Sequence, residues 1–80
     1  MDINDLLSEL KKLSIPSSWF LIGEKGITDN KTCLRFIDNQ WCVFYSERGG
    51  KYKLKTFASE DTACNELLFR MKLKKERKNN

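Results

Sequence analysis

The residue types that usually carry chemistry are scarce in this chain. Its 80 residues contain no histidine, three cysteines (Cys33, Cys42, Cys64) and 11 carboxylates against 15 lysines and arginines. Without histidine the commonest general acid–base is missing, and neither a Ser-His-Asp nor a Cys-His arrangement can be assembled. The cysteines match no metal or redox spacing, and no Cys, Asp or Glu cluster is spaced for zinc or calcium. They read as small buried hydrophobes. The paired carboxylates Glu60 and Asp61 point in different directions if they open a helix, and the positive end of the helix dipole accounts for them. Gly23-Glu24-Lys25-Gly26 and Arg48-Gly49-Gly50 lack the following helix and Lys-Ser/Thr pair of a phosphate-cradling loop. They read as turns. The sequence therefore predicts no catalytic residue, no cofactor site, no metal site and no enzyme activity.

Binding is the better-supported alternative, and charge is its first indicator. The net charge is +4, which invites a nucleic-acid reading. Residues 1 to 69, however, hold nine basic and ten acidic residues, whereas residues 70 to 80 hold six basic and one acidic. The body is near neutral and the excess sits at one end. Lys51, Lys53 and Lys55 alternate along one stretch, and Lys72, Lys74, Lys75, Arg77 and Lys78 follow near the C-terminus. Together they offer phosphates a surface. Strict alternation would nevertheless turn Tyr52 away from the lysines, and a single-strand platform needs aromatics beside its cations. No ribonucleoprotein motif occurs either. Nucleic acid is therefore the secondary expectation, through the lysine strand and the basic tail.

The elements that would position these groups follow from periodicity. Ile3, Leu6, Leu7, Leu10 and Leu13 recur at three and four, with Asp2 or Asn4 as cap, and predict a helix over about 3–13 that ends before Pro16. Trp19 to Ile22 reads as a short strand buried on both faces, and residues 23–31 as an exposed loop. Period two from Thr32, a turn at Asp38-Asn39, the run Gln40 to Tyr45, a Gly-containing turn at 46–50 and the stretch Lys51 to Phe57 predict a meander. In that last stretch the lysines face water while Tyr52 and Leu54 face inward, an arrangement that protects an edge strand. Ser59 caps a second helix carrying the stripe Ala63, Cys64, Leu67, Leu68 and Met71 and running to about Lys74, with residues 75–80 a frayed basic tail. The result is a single α+β domain over 1–80: an N-terminal helix, three or four antiparallel strands and a C-terminal helix, both helices on one sheet face. At this length a chain buries only about 60–65% of its unfolded surface, so large catalytic clefts are not expected. The absence of a signal-like n-region and of any membrane-length apolar run predicts a cytoplasmic protein without membrane contact.

One stretch carries more than element information. Trp41-Cys42-Val43-Phe44-Tyr45-Ser46-Glu47-Arg48-Gly49, followed by Leu54-Lys55-Thr56-Phe57-Ala58-Ser59-Glu60-Asp61-Thr62-Ala63-Cys64 and a leucine-rich helix, resembles small bacterial immunity proteins of polymorphic-toxin and contact-dependent growth-inhibition systems. The likeness covers about residues 40–71 and includes the non-hydrophobic positions Ser46, Glu47, Arg48, Gly49 and Glu60. The N-terminal half matches only loosely. The resemblance implies a toxin inhibitor that binds its cognate toxin domain, expected to be a nuclease, in the cytoplasm and blocks its active or substrate-binding site. Such a protein needs a complementary surface and no catalytic group. The expected contact residues are Glu24, Lys25, Asp29 and Asn30 of the loop, Asp38, Asn39, Glu47 and Arg48 of the turns, and Lys53 and Lys55 of the lysine strand. Trp19 or Trp41 would serve as the aromatic anchor where incompletely buried. Oligomeric state does not follow from these residues.

Overall fold

The computed structural model describes residues 1–26 and 28–78. In chain order they form α1 (Ile3–Lys12), a 3-10 turn (Ser17–Trp19), β1 (Phe20–Ile22), β2 (Lys31–Ile37), β3 (Gln40–Glu47), β4 (Gly50–Phe57) and α2 (Glu60–Lys78). The described strands make a four-stranded sheet in the order β1-β2-β3-β4. The α+β class and the helix–sheet–helix order hold.

α1 begins on a capping box: Asp2 Oδ1 accepts from Asp5 N at 2.8 Å, and Asp5 Oδ2 accepts from Asp2 N at 3.3 Å. It ends on a Schellman turn. Ser14 sits in the left-handed region (φ 57°), its N–H donates to Lys11 O, and Ile15 N donates to Leu10 O. Ile15 then folds back into the core, and Pro16 follows a helix that is already closed. At α2, Ser59 Oγ accepts from Thr62 N at 3.3 Å, as an N-cap should. The two helices run side by side in the same direction. At their N-terminal ends Glu60 Oε2 accepts from Ile3 N at 2.8 Å and Asp61 Oδ1 lies 2.5 Å from the Met1 ammonium. At their C-terminal ends Lys75 Nζ donates to Leu13 O. That contact explains why α2 continues through Lys78 instead of stopping near Lys74, since Lys75 is half-buried against α1. Asn79 and Asn80 of the tail lie outside the described residues.

Leu6 and Leu10 of α1, Leu34 and Val43 of the sheet, and Ala63, Cys64, Leu67 and Met71 of α2 form the main core on one sheet face. The opposite face carries a second, smaller core of Cys33, Cys42 and Phe44 with Leu21 and Ile37. What covers it follows from the one pairing that departs from the expected meander. β1 runs parallel to β2, with Phe20 opposite Thr32 and Ile22 opposite Leu34, so the sheet is mixed. A parallel neighbour cannot be reached through a hairpin, and the chain must return along the sheet. The described part of that return lies on the Cys33 side. A Cβ on Gly26 would lie 3.0 Å from Leu21 Cδ1, and Ser46 Oγ donates to Thr28 Oγ1 at 3.2 Å. The β1 run is half-buried instead of covered on both faces, and Trp19 belongs to the preceding turn.

Two-residue turns at Asp38-Asn39 and Arg48-Gly49, all four residues with positive φ, join β2 to β3 and β3 to β4. Their hand matches the twist of the strands. The β3–β4 ladder slips once: Val43 faces Lys55 and Tyr45 faces Tyr52, with Lys53 at φ 54° between them. This β-bulge breaks the alternation. Lys55 therefore joins Val43, Tyr45 and Tyr52 on the helix-covered face, where Tyr52 is still 52% exposed at the sheet edge, and Leu54, displaced from the alternation, is 51% exposed.

Candidate functional site

The sequence-derived contact residues fall into three separated groups. The loop and the second turn meet at one end of the sheet. Arg48 N donates to Asp29 Oδ1 at 2.7 Å, and Asn30 N donates to Ser46 O at 2.7 Å, next to Glu47. Glu24 and Lys25 are exposed in the same loop. At the other end, a strand length away, Asp38 and Asn39 are exposed in their turn. Inboard of them Trp41 packs tilted against Phe36, with ring centroids 4.9 Å apart. Trp41 is half-buried against the main core and Phe36 is 48% exposed. Trp19 is likewise half-buried, and Lys74 Nζ lies 4.8 Å above its ring. Both tryptophans are incompletely buried.

The third group, Lys53 and Lys55, belongs to a groove of about 720 Å³ between β4 and the C-terminal half of α2. β4 is the sheet edge, so the groove is open on that side. Tyr45 and Met71 form part of its floor. Tyr52, Leu54 and Phe69, the last 56% exposed, stand along it. Its one carboxylate, Glu66, bonds Arg70 Nε at 2.7 Å and lies 4.0 Å from Lys55 Nζ. Arg70 Nη2 donates to Lys53 O at 2.7 Å, which ties the bulge to α2, while its Nη1 is buried without a partner. Lys74 and Arg77 complete the rim. Burial, and then the neighbouring Lys78 charge, pull the Lys74 pKa below its ordinary value.

Tyr52, Phe69, Arg70, Lys74 and Arg77 were absent from the contact set read from the sequence. A bulge at Lys53 has no sequence signal when the left-handed position carries lysine in place of glycine. Phe69 did have one: a large apolar residue lying off the stripe of α2, with no core position to fill.

The thiols offer no nucleophile. Cys33, Cys42 and Cys64 are free and buried. Burial, with the Glu60 charge adding to it, raises Cys64 to about 11. Burial also raises Cys33, against the opposing effect of Arg35, Lys31 and Lys51. Among the described residues no three His, Cys, Asp or Glu side chains are grouped to hold a metal, and no described helix is long and apolar enough to cross a membrane. Comparison with family models, with curated proteins and with solved structures returned no match.

Proposed function

We propose that this protein is a cytoplasmic immunity protein that binds one cognate toxin domain and blocks it without catalysis. The observation that carries the reading is the exposed Tyr52, Leu54 and Phe69 cluster flanked by cations along the β4–α2 groove. Aromatic residues and arginine dominate the energetic centres of protein interfaces. Large hydrophobes left outside two filled cores mark a surface that meets a partner. The resemblance over residues 40–71 spans β3, β4 and the first part of α2, two of which wall the groove. Neutralisation is then steric: the toxin's working surface is covered, and slow release follows from hydrophobic contact reinforced by charge. The toxin is a nuclease in this reading, with the rim cations meeting acidic groups beside its active site. The test is genetic. Removing this gene should make the product of a neighbouring gene lethal, and restoring it should rescue growth.

A second reading has a specific observation behind it. Tyr52 is exposed on the helix-covered face, and Phe69 stands with it beside Lys53 and Lys55, so the aromatics and cations a single-stranded nucleic acid requires do share one surface. Titration with single-stranded DNA and RNA separates the two: nucleic-acid binding would be tight and lose affinity steeply with salt.

A further inference from the structure

We propose that the β4–α2 groove is the docking site for an extended protein segment that alternates acidic and apolar side chains, the inference resting on the partner-binding reading above. Charge complementarity identifies the occupant. Lys53, Lys55, Lys74 and Arg77 rim the groove, and Arg70 and Glu66 within it largely satisfy one another. A segment entering between the rim lysines meets uncompensated positive charge and is selected for carboxylates. The walls ask for something more. Leu54, Phe69, Leu73 and Met71 present aliphatic and aromatic carbon, which complements Leu, Val or Phe side chains. This combination favours an acidic–apolar polypeptide over a nucleic acid. The shape agrees: β4 is eight residues long and forms an open edge, so an extended segment of roughly six to eight residues matches its length.

The backbone supplies a second observation, independent of exposure. Lys53 occupies φ 54° at a bulge, a conformation that glycine adopts without steric cost. Its carbonyl is held by Arg70 Nη2, so the conformation is fixed from α2. Backbone strain of this kind concentrates at functional sites. A lysine there makes sense if its side chain is used at the rim.

The experiment uses the full chain, 15N-labelled, titrated with three probes: a short alternating Glu–Leu peptide, its Lys–Leu counterpart and an oligothymidylate of similar length. The Glu–Leu peptide is expected to shift the amides of Lys53–Lys55 and Phe69–Lys74 and to bind most tightly of the three. Its affinity should fall about tenfold or more in Phe69→Ala and in Lys53→Glu/Lys55→Glu, and should stay within about twofold in the exposed α1 control Leu7→Ala. Tighter binding of the oligothymidylate would overturn the proposal. So would shifts centred on Phe36 and Trp41, an absence of binding at millimolar peptide, or concentration-dependent dimerisation abolished by Phe69→Asp, which would assign the groove to a second copy. The growth assay keeps the two claims apart. Rescue that survives Phe69→Ala and Lys53→Glu/Lys55→Glu leaves the immunity reading standing and removes the groove from it. Peptide binding without rescue does the reverse.

Discussion

Cys64 shows how one side chain's environment decides between chemistry and packing. It lies fully buried in the main core, and burial lifts its thiol to about 11. At neutral pH the thiolate is therefore essentially unpopulated in the fold. Native protein at pH 8 should react with a thiol-specific disulfide reagent only at the rate of unfolding, and all three thiols should titrate at once in denaturant. The same shift has a stability consequence. Because the folded pKa lies above the unfolded one, the contribution is fully present below about pH 9 and is lost as pH rises toward 11, with a limiting slope of about 1.4 kcal/mol per pH unit. Urea midpoints measured across pH 8–11 should fall accordingly, and Cys64→Ala should flatten the fall. The buried character of the cysteines was readable from the sequence, since no histidine or spacing gave them another task. The placement of Lys55 on the helix-covered face and the displacement of Leu54 from it were not, because they depend on a slip in the β3–β4 ladder that no residue type announces.

At the scale of elements, local preferences predicted a first cap at Asp2 or Asn4, a second at Ser59, a turn at Asp38-Asn39 and a Gly-containing turn over 46–50, which the structure narrows to Asp2 and to Arg48-Gly49. What it missed were features set by pairing. The parallel β1–β2 contact requires a return along the sheet, whose described part lies on the Cys33 face, and the length of α2 follows from Lys75 reaching Leu13. Ser14 and Lys53 are among the left-handed positions that carry side chains where glycine costs less. Ser14→Gly should raise the unfolding free energy by about 0.5–1 kcal/mol, because the Schellman turn is retained and the αL penalty removed. Chemical denaturation with an unchanged m-value would confirm it. Lys53→Gly should give a gain of similar size while weakening partner binding, a separation of stability from function expected only if the lysine is kept for its side chain. A Lys53→Gly protein that is more stable and binds as before would remove the strain argument.

The molecule places two cores on either side of a mixed sheet and leaves Tyr52 and Phe69 exposed along the β4 edge. A chain of 80 residues has little stability to lose, so Leu67→Ala, at a fully buried position shared by both helices and the sheet, should cost about 2–5 kcal/mol and leave the protein largely unfolded near physiological temperature. Phe69→Ala, by contrast, removes an exposed ring and should leave the melting temperature within a few degrees. That contrast makes Phe69 the residue on which function can be read apart from folding. The most direct measurement is survival of cells that carry the neighbouring gene proposed to encode the toxin and, in place of this gene, the wild type, Phe69→Ala or no copy at all. The proposed immunity role predicts death without a copy, full growth with the wild type, and loss of protection with a Phe69→Ala protein that is folded and equally abundant. Normal growth in the strain with no copy would contradict it.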